Sequence, residues 1–245
     1  MTGEAIIFSD LDGTLLFSGR ISAEDRAAIA YCRANGIPAI LNTGRSKAFL
    51  PEAAFSVGWD GIICGTAYCR FGGEVLMNEG VPAESLIAAA RYCRENDLPV
   101  RFEGVSEVLS MIRGDVFRDI SEDYAAVLSD APDISKVTVG SQITDSDAEY
   151  FGRYFDIVRL PTYTELLQRG KTKATGMELI CRRAGIPEKA SIAFGDSLND
   201  RAMLAWAGTA VIMKSADAAL NDIAAFRTDT DETGVEEGLR RIFGF

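Results

Sequence analysis

A single local pattern, repeated along the chain, limits the fold most: a short apolar run stops at a polar cluster, and a helical segment follows. Residues 5–8 are apolar and lead into Ser9-Asp10, with the turn signal Asp12-Gly13 directly behind. Residues 38–41 end at Asn42-Thr43-Gly44, and residues 61–64 form a third run. Residues 191–194 end at Gly195-Asp196, and residues 210–213 form another. Runs this short, bounded by turn residues, predict buried strands. Helices are expected between them. One is opened by Ser22-x-x-Asp25, which resembles a capping box, and is stopped by Gly36. Another starts at Ser46, a third covers residues 174–184 with Gly185 as its stop, and the last begins after Gly234. Strands alternating with helices predict an α/β fold with a parallel sheet covered on both faces. Open sheets of this kind hold ligands beyond the carboxyl ends of their strands, which is where the polar clusters fall.

The pattern breaks after residue 66. Residues 68–76, with Gly72-Gly73 inside, predict a hairpin. From 82 to 165 the order is helix, two strands, helix, strand, helix and more strand, and segments such as 107–112 and 136–139 suggest an antiparallel α+β unit. From Thr172 the first pattern returns. The expected organisation is a split core of residues 1–81 and 166–245, interrupted by an inserted α+β domain of residues 82–165. A chain of 245 residues suits one large domain carrying such an insertion.

Composition narrows the chemistry. There is no histidine, which removes Ser-His-Asp and Cys-His triads, histidine phosphotransfer and His-based zinc sites. Acid–base or covalent chemistry must then use carboxylates, Lys, Cys, Tyr, Ser or Thr. A formal net charge of −11 argues against nucleic acid and anionic membranes as partners, while carboxylate clusters favour divalent metals. The cysteines Cys32, Cys64, Cys69, Cys93 and Cys181 are odd in number and form no C-x-x-C pair, so buried free thiols in a reducing cytoplasm are expected. Met1-Thr2-Gly3-Glu4 carries no basic leader, and no apolar run is long enough to span a membrane.

Four constellations could carry chemistry. Asp10-Leu11-Asp12-Gly13-Thr14 sets two carboxylates beside a turn at a strand end; alone it also fits a surface turn. Thr43-Gly44-Arg45 offers a hydroxyl and backbone N–H groups to an anion, although a simple capping role for Thr43 or Ser46 fits as well. Lys173 places a cation at a helix start, against the dipole, with Lys171 as a competitor or a solvated lysine as the plain reading. Gly195-Asp196-Ser197-Leu198-Asn199-Asp200 carries two acids suited to an oxygen-preferring metal, or else a helix cap at Ser197-x-x-Asp200.

Taken in order, Asp10-x-Asp12-Gly13-Thr14, Thr43-Gly44-Arg45, Lys173 and Gly195-Asp196-x-x-Asn199-Asp200 closely resemble the motifs of the haloacid dehalogenase (HAD) superfamily, in its Cof-type phosphatase branch. The resemblance spans both core segments and touches the insertion only in position and size. It implies a Rossmann-like core with an α+β cap, and a Mg²⁺-dependent phosphatase acting on a small phosphate ester, a sugar phosphate first. It implies Asp10 as nucleophile and Asp12 as acid–base. Mg²⁺ would sit on the Asp10 carboxylate, the Asp12 carbonyl and Asp196. Thr43, Gly44, Arg45, Lys173 and Asn199 would hold phosphate or substrate, with Asp200 in support. The family's spacing also favours Lys173 over Lys171. Where the family has Asn-Gly after the third strand, this chain has Gly65-Thr66-Ala67. Two other readings stay open: a phosphosugar mutase of the same superfamily, and a non-catalytic binding protein on the same scaffold.

Overall fold

The computed structural model describes residues 5–130 and 133–245; the first four residues, read above as lacking a basic leader, lie outside that range. The strands in chain order are β1 (Ile6–Ser9), β2 (Leu16–Phe17), β3 (Arg20–Ile21), β4 (Ala39–Thr43), β5 (Gly61–Cys64), β6 (Tyr68–Phe71), β7 (Glu74–Asn78), β8 (Val100–Gly104), β9 (Val108–Ser110), β10 (Arg118–Asp119), β11 (Ile134–Val139), β12 (Phe155–Arg159), β13 (Thr164–Gln168), β14 (Ser191–Gly195), β15 (Thr209–Ile212) and β16 (Phe226–Arg227). The helices are α1 (Ala23–Ala34), α2 (Glu52–Phe55), α3 (Ala83–Glu95), α4 (Tyr124–Ser129), α5 (Asp145–Phe151), α6 (Lys173–Ala184), α7 (Arg201–Trp206) and α8 (Gly234–Phe243).

An eight-stranded sheet runs in the order β16-β15-β14-β1-β4-β5-β6-β7. It is parallel from β16 to β5 and turns antiparallel through the β6–β7 hairpin. Residues of β1, β4, β5 and β14 are buried throughout, as expected for strands covered on both faces. Ile6, Phe8, Ile40, Ile63, Phe194 and Val211 fill this core together with residues of α1, α6 and α8. The α/β fold and parallel sheet are therefore as the sequence predicts.

A second, six-stranded sheet runs β10-β9-β8-β11-β13-β12 and is antiparallel except for the short β9–β10 pair. Its strands alternate. Phe102, Val137, Val139 and Leu166 pack into a separate apolar cluster with Leu86, Tyr124 and Phe151 of the helices. Arg101, Glu103, Lys136, Thr138 and Glu165 line a cavity on the other side. Strand β13 begins at Thr164 and runs to Gln168, so this sheet extends across the division placed at 165/166.

Two local expectations are corrected. Ser46 opens only a three-residue 3₁₀ turn, Lys47–Phe49, and the chain leaves it in extended conformation at Leu50-Pro51 before the four-residue α2. Pro51 has no N–H to continue a helical ladder, and it biases Leu50 away from helical angles. At α1 the capping box is half made. The Ser22 hydroxyl accepts from the Asp25 N–H at 2.9 Å, but the Asp25 carboxylate accepts from the Glu236 N–H of α8 at 2.7 Å.

Candidate active site

The carboxyl ends of β1, β4 and β14 converge because the three strands are adjacent and parallel. Asp10 follows β1, and its N–H donates to the Phe194 carbonyl of β14 at 3.0 Å. Asp196 follows β14. Gly13, with φ +77°, turns the chain directly over it, and a Cβ there would lie 2.5 Å from the Asp196 carboxylate. Only glycine fits that approach and that backbone conformation. Thr14 donates its hydroxyl to Asp196 Oδ1 at 3.2 Å.

Helix α6 brings a cation into this cluster. Thr172 caps it, its hydroxyl accepting from the Ala174 N–H, so Lys173 is the first helical residue. The Lys173 ammonium donates to Asp10 Oδ1 at 2.6 Å and to Asp200 Oδ1 at 2.5 Å, and its side chain is only 3% exposed. The other oxygen of Asp200 accepts from the N–H groups of Asp196 and Ser197 at 3.0 and 3.2 Å. Asp200 thus both caps the turn and pairs with the lysine. Lys171 instead forms a partly exposed ion pair with Glu79 at 2.8 Å.

Carboxylate oxygens of Asp10, Asp196 and Asp200 lie within 4.8 Å of one another. Three carboxylates against one ammonium leave a buried surplus of negative charge. Burial first, and then Asp200, holds the Asp10 carboxyl well above its ordinary range in spite of Lys173. Asp196 is pushed up to about 6 for the same two reasons. Burial acts to lower the Lys173 pKa, but Asp10 and Asp200 outweigh it and hold the ammonium above its ordinary value. An all-oxygen donor set with surplus charge fits a hard divalent cation. Asp12 is outside this triad. Its side chain turns to Arg45 and accepts from Nε and Nη2 at 2.7 and 2.8 Å, leaving only its backbone carbonyl for the metal role expected of it.

The remaining expected residues surround the same cavity, about 740 Å³ in volume, between the strand ends and the polar face of the six-stranded sheet. Thr43 is buried at the end of β4, and its hydroxyl accepts from the Arg45 N–H at 3.1 Å. The Ser46 side chain makes no capping hydrogen bond, and its buried hydroxyl has no partner among the described residues. Gly44 faces Asn199, whose side-chain oxygen accepts from the Ser197 hydroxyl at 2.8 Å. All nine site residues named from the sequence therefore lie in or directly behind one cavity: Lys173 and Asp200 behind it, the others along its wall.

The sequence reading missed the opposite wall. Arg101, Glu103, Lys136, Thr138, Tyr163 and Glu165 face the strand ends across the cavity. Their signal was alternation: Arg101 and Glu103 flank Phe102, and Lys136 and Thr138 flank Val137. Such charged alternate positions ordinarily mark a solvated sheet face. Here Glu103 and Lys136 are each only 4% exposed.

Residues 7–239 match the haloacid dehalogenase-like hydrolase family. The chain belongs to that family. Among its relatives, the phosphoglycolate phosphatase of Methanothermobacter thermautotrophicus is 26% identical, over 96% of this chain and 97% of that one. The 5-amino-6-(5-phospho-D-ribitylamino)uracil phosphatase YcsE of Bacillus subtilis is 27% identical, over 96% and 94%. A solved HAD subclass IIB sugar phosphatase superposes with a TM-score of 0.83 at 25% identity, covering 98% of this hydrolase and 99% of that chain. The similarity runs through both sheets, so the second sheet of this hydrolase belongs to the shared architecture.

Proposed function

We propose that this hydrolase is a Mg²⁺-dependent phosphatase that cleaves a small phosphorylated metabolite, a sugar phosphate first, through an aspartyl phosphate on Asp10. The observation that carries the reading is the Lys173 ammonium shared by Asp10 and Asp200 beside Asp196, at the ends of adjacent parallel strands. A buried carboxylate cluster with excess charge is poor at holding a phosphate unless cations offset it. Asp10, Asp196 and the Asp12 carbonyl are the proposed Mg²⁺ ligands, with Asp200 holding Lys173 in place. When bound, the ion supplies positive charge against the acids and the phosphoryl oxygens. The phosphatase names and the sugar phosphatase neighbour among its relatives support the same reading.

In the proposed first step an Asp10 carboxylate oxygen bonds to phosphorus while the bond from phosphorus to the leaving oxygen breaks. Asp12, acting as general acid, gives that oxygen its proton and so becomes the base for the second step. Water then bonds to phosphorus, Asp12 takes its proton, and the acyl-phosphate bond breaks to release inorganic phosphate and restore Asp10. In this scheme Lys173, the Thr43 hydroxyl and the Gly44 N–H meet the phosphoryl oxygens, whose charge spreads over three atoms. Arg45 and Asn199 bind substrate or phosphate in this scheme. Residues 82–165, together with the rest of β13, act as the cap that selects the leaving group. Five free, buried cysteines suit a cytoplasmic setting, and no described helix is long and apolar enough to cross a membrane.

Phosphate release from phenyl phosphate with Mg²⁺ tests the activity. Borohydride quenching during turnover tests the intermediate, because it reduces an acyl phosphate at Asp10 to homoserine, read by peptide mass spectrometry. Turnover that proceeds without any modification at Asp10 would exclude the covalent route.

A further inference from the structure

The cavity wall opposite the strand ends carries its own charge pattern. On β8, β11 and β13, Lys136 lies between two carboxylates: its ammonium is hydrogen-bonded to Glu165 and stands 3.7 Å from Glu103 Oε2. Glu103 uses Oε1 to accept the Thr138 hydroxyl at 2.6 Å. Its Oε2 is buried and accepts no hydrogen bond from the described residues. Glu103 lines the cavity and is only 4% exposed, and an oxygen that has an ammonium at 3.7 Å but no hydrogen-bond donor is costly unless a donor arrives.

Each cation on or directly behind the described walls is already paired with a carboxylate, Arg101 through Nε alone. Arg45 is bonded to Asp12, Arg101 to Asp115 at 2.7 Å, Lys136 to Glu165, and Lys173 to Asp10 and Asp200. The Glu103-Lys136-Glu165 row itself carries one surplus negative charge. A carboxylate or second phosphate on the leaving group would meet that surplus, while the charges of Arg45 and Arg101 are already offset by Asp12 and Asp115.

We propose that Glu103 is a specificity-determining residue whose Oε2 accepts a hydrogen bond from the leaving group, so that the substrate is a monophosphate ester bearing hydroxyl or amine donors and no second anionic group. This rests on the phosphatase reading above and adds what lies beyond the transferred phosphoryl group. Glu165 and Thr138 flank the same position and keep Glu103 and Lys136 in register. A site built to receive a donor discriminates strongly against analogues that lack one, because its buried acceptor is then left unpaired.

The test compares kcat/KM, with Mg²⁺, for a hexitol monophosphate, a hexosamine monophosphate, phosphoglycolate and a hexose bisphosphate, with phenyl phosphate as the reference for chemistry. The wild-type enzyme is expected to favour the better of the first two over both doubly anionic esters by at least about a hundredfold. Whether hexitol or hexosamine leads tells hydroxyl from ammonium recognition. Glu103→Gln replaces one acceptor by an amide and removes the surplus charge, so the preference should narrow by about tenfold or more, with relief of the anionic esters contributing. Thermal unfolding of the variant monitors the cap. Equal kcat/KM for phosphoglycolate and the polyol ester in the wild type overturns this inference and leaves the phosphatase reading intact. So does a folded Glu103→Gln enzyme with an unchanged preference, since a purely structural ion row would behave that way. Failure to cleave even phenyl phosphate removes both.

Discussion

Lys173 and Lys171 show how far two residues of the same type can differ within one turn of chain. Lys173 is sealed against Asp10 and Asp200, whereas Lys171 shares a partly exposed pair with Glu79. Lys173→Ala is expected to lower kcat by about 10²–10³, the usual loss for one electrostatic stabiliser. It should also lower thermal stability, because the two buried carboxylates lose their common partner. Lys171→Ala should leave kcat within about threefold, as a screened surface pair contributes little. Steady-state kinetics on both variants checks this, and a crippled Lys171→Ala enzyme would reverse the assignment. Asp10→Asn should fold and show no turnover. The Lys173 ammonium keeps Asp200 as its partner in that variant, so the fold is expected to survive the change. Circular dichroism with a phosphate-release assay measures both halves of that statement.

At the scale of elements, two contacts tie the parallel sheet to its surroundings. Asp25 of α1 accepts from the Glu236 N–H of α8, and its second oxygen is buried without a partner among the described residues. Burial above all raises its pKa to about 6, against help from that N–H. A carboxyl whose folded value lies above the unfolded one contributes stability that is complete below the unfolded value. That stability is lost as pH rises through the folded one. Raising the pH from about 4 to 7 should therefore cost roughly 2–3 kcal/mol through Asp25. Asp25→Asn should flatten the dependence of Tm on pH over this window, and an unchanged slope would remove Asp25 as its source. The turn after β1 is the second contact. Gly13→Ala must hold φ near +77° with its Cβ against Asp196. A destabilisation of about 1–3 kcal/mol is expected, together with loss of activity, measured by chemical denaturation and phosphate release.

For the molecule as a whole, the site exists only because two sheets with separate apolar cores face one another. The eight-stranded sheet holds the acidic cluster, and the six-stranded sheet supplies the wall with Glu103, Lys136 and Glu165. Surplus negative charge at the joint should make the folded molecule a cation binder. Mg²⁺ at about a hundred times its Kd should add about 2.7 kcal/mol of stability, a Tm rise of several degrees for a chain of this size. Asp196→Asn should abolish that rise. EDTA should remove both the rise and the activity, and Mg²⁺ should restore them. Differential scanning fluorimetry reads the stability arm without substrate, and an equal Mg²⁺ shift in Asp196→Asn would place the ion elsewhere.

Much of this was legible in the chain before folding. Buried strands such as Ile6–Ser9 and Ser191–Gly195 advertise themselves as unbroken apolar runs, because a strand covered on both faces has no solvated side. Their polar termini mark the ligand edge for the same reason. Asp10, Asp12, Thr43, Lys173 and Asp196 could therefore be named as a site from spacing and resemblance alone. Local sequence could not determine which groups pair across long separations. Asp10 and Lys173 are 163 residues apart, and Asp25 and Glu236 are 211. Nor could it show that Arg45 turns to Asp12, or that Asp25 leaves its own helix cap for α8. The alternation Arg101-Phe102-Glu103 and Lys136-Val137-Thr138 specified two faces but not what each would meet. Only the docking of one sheet over the strand ends of the other turned an apparently solvated face into a buried wall. Which face sees water depends on contacts between distant segments, and those exist only once the chain has folded.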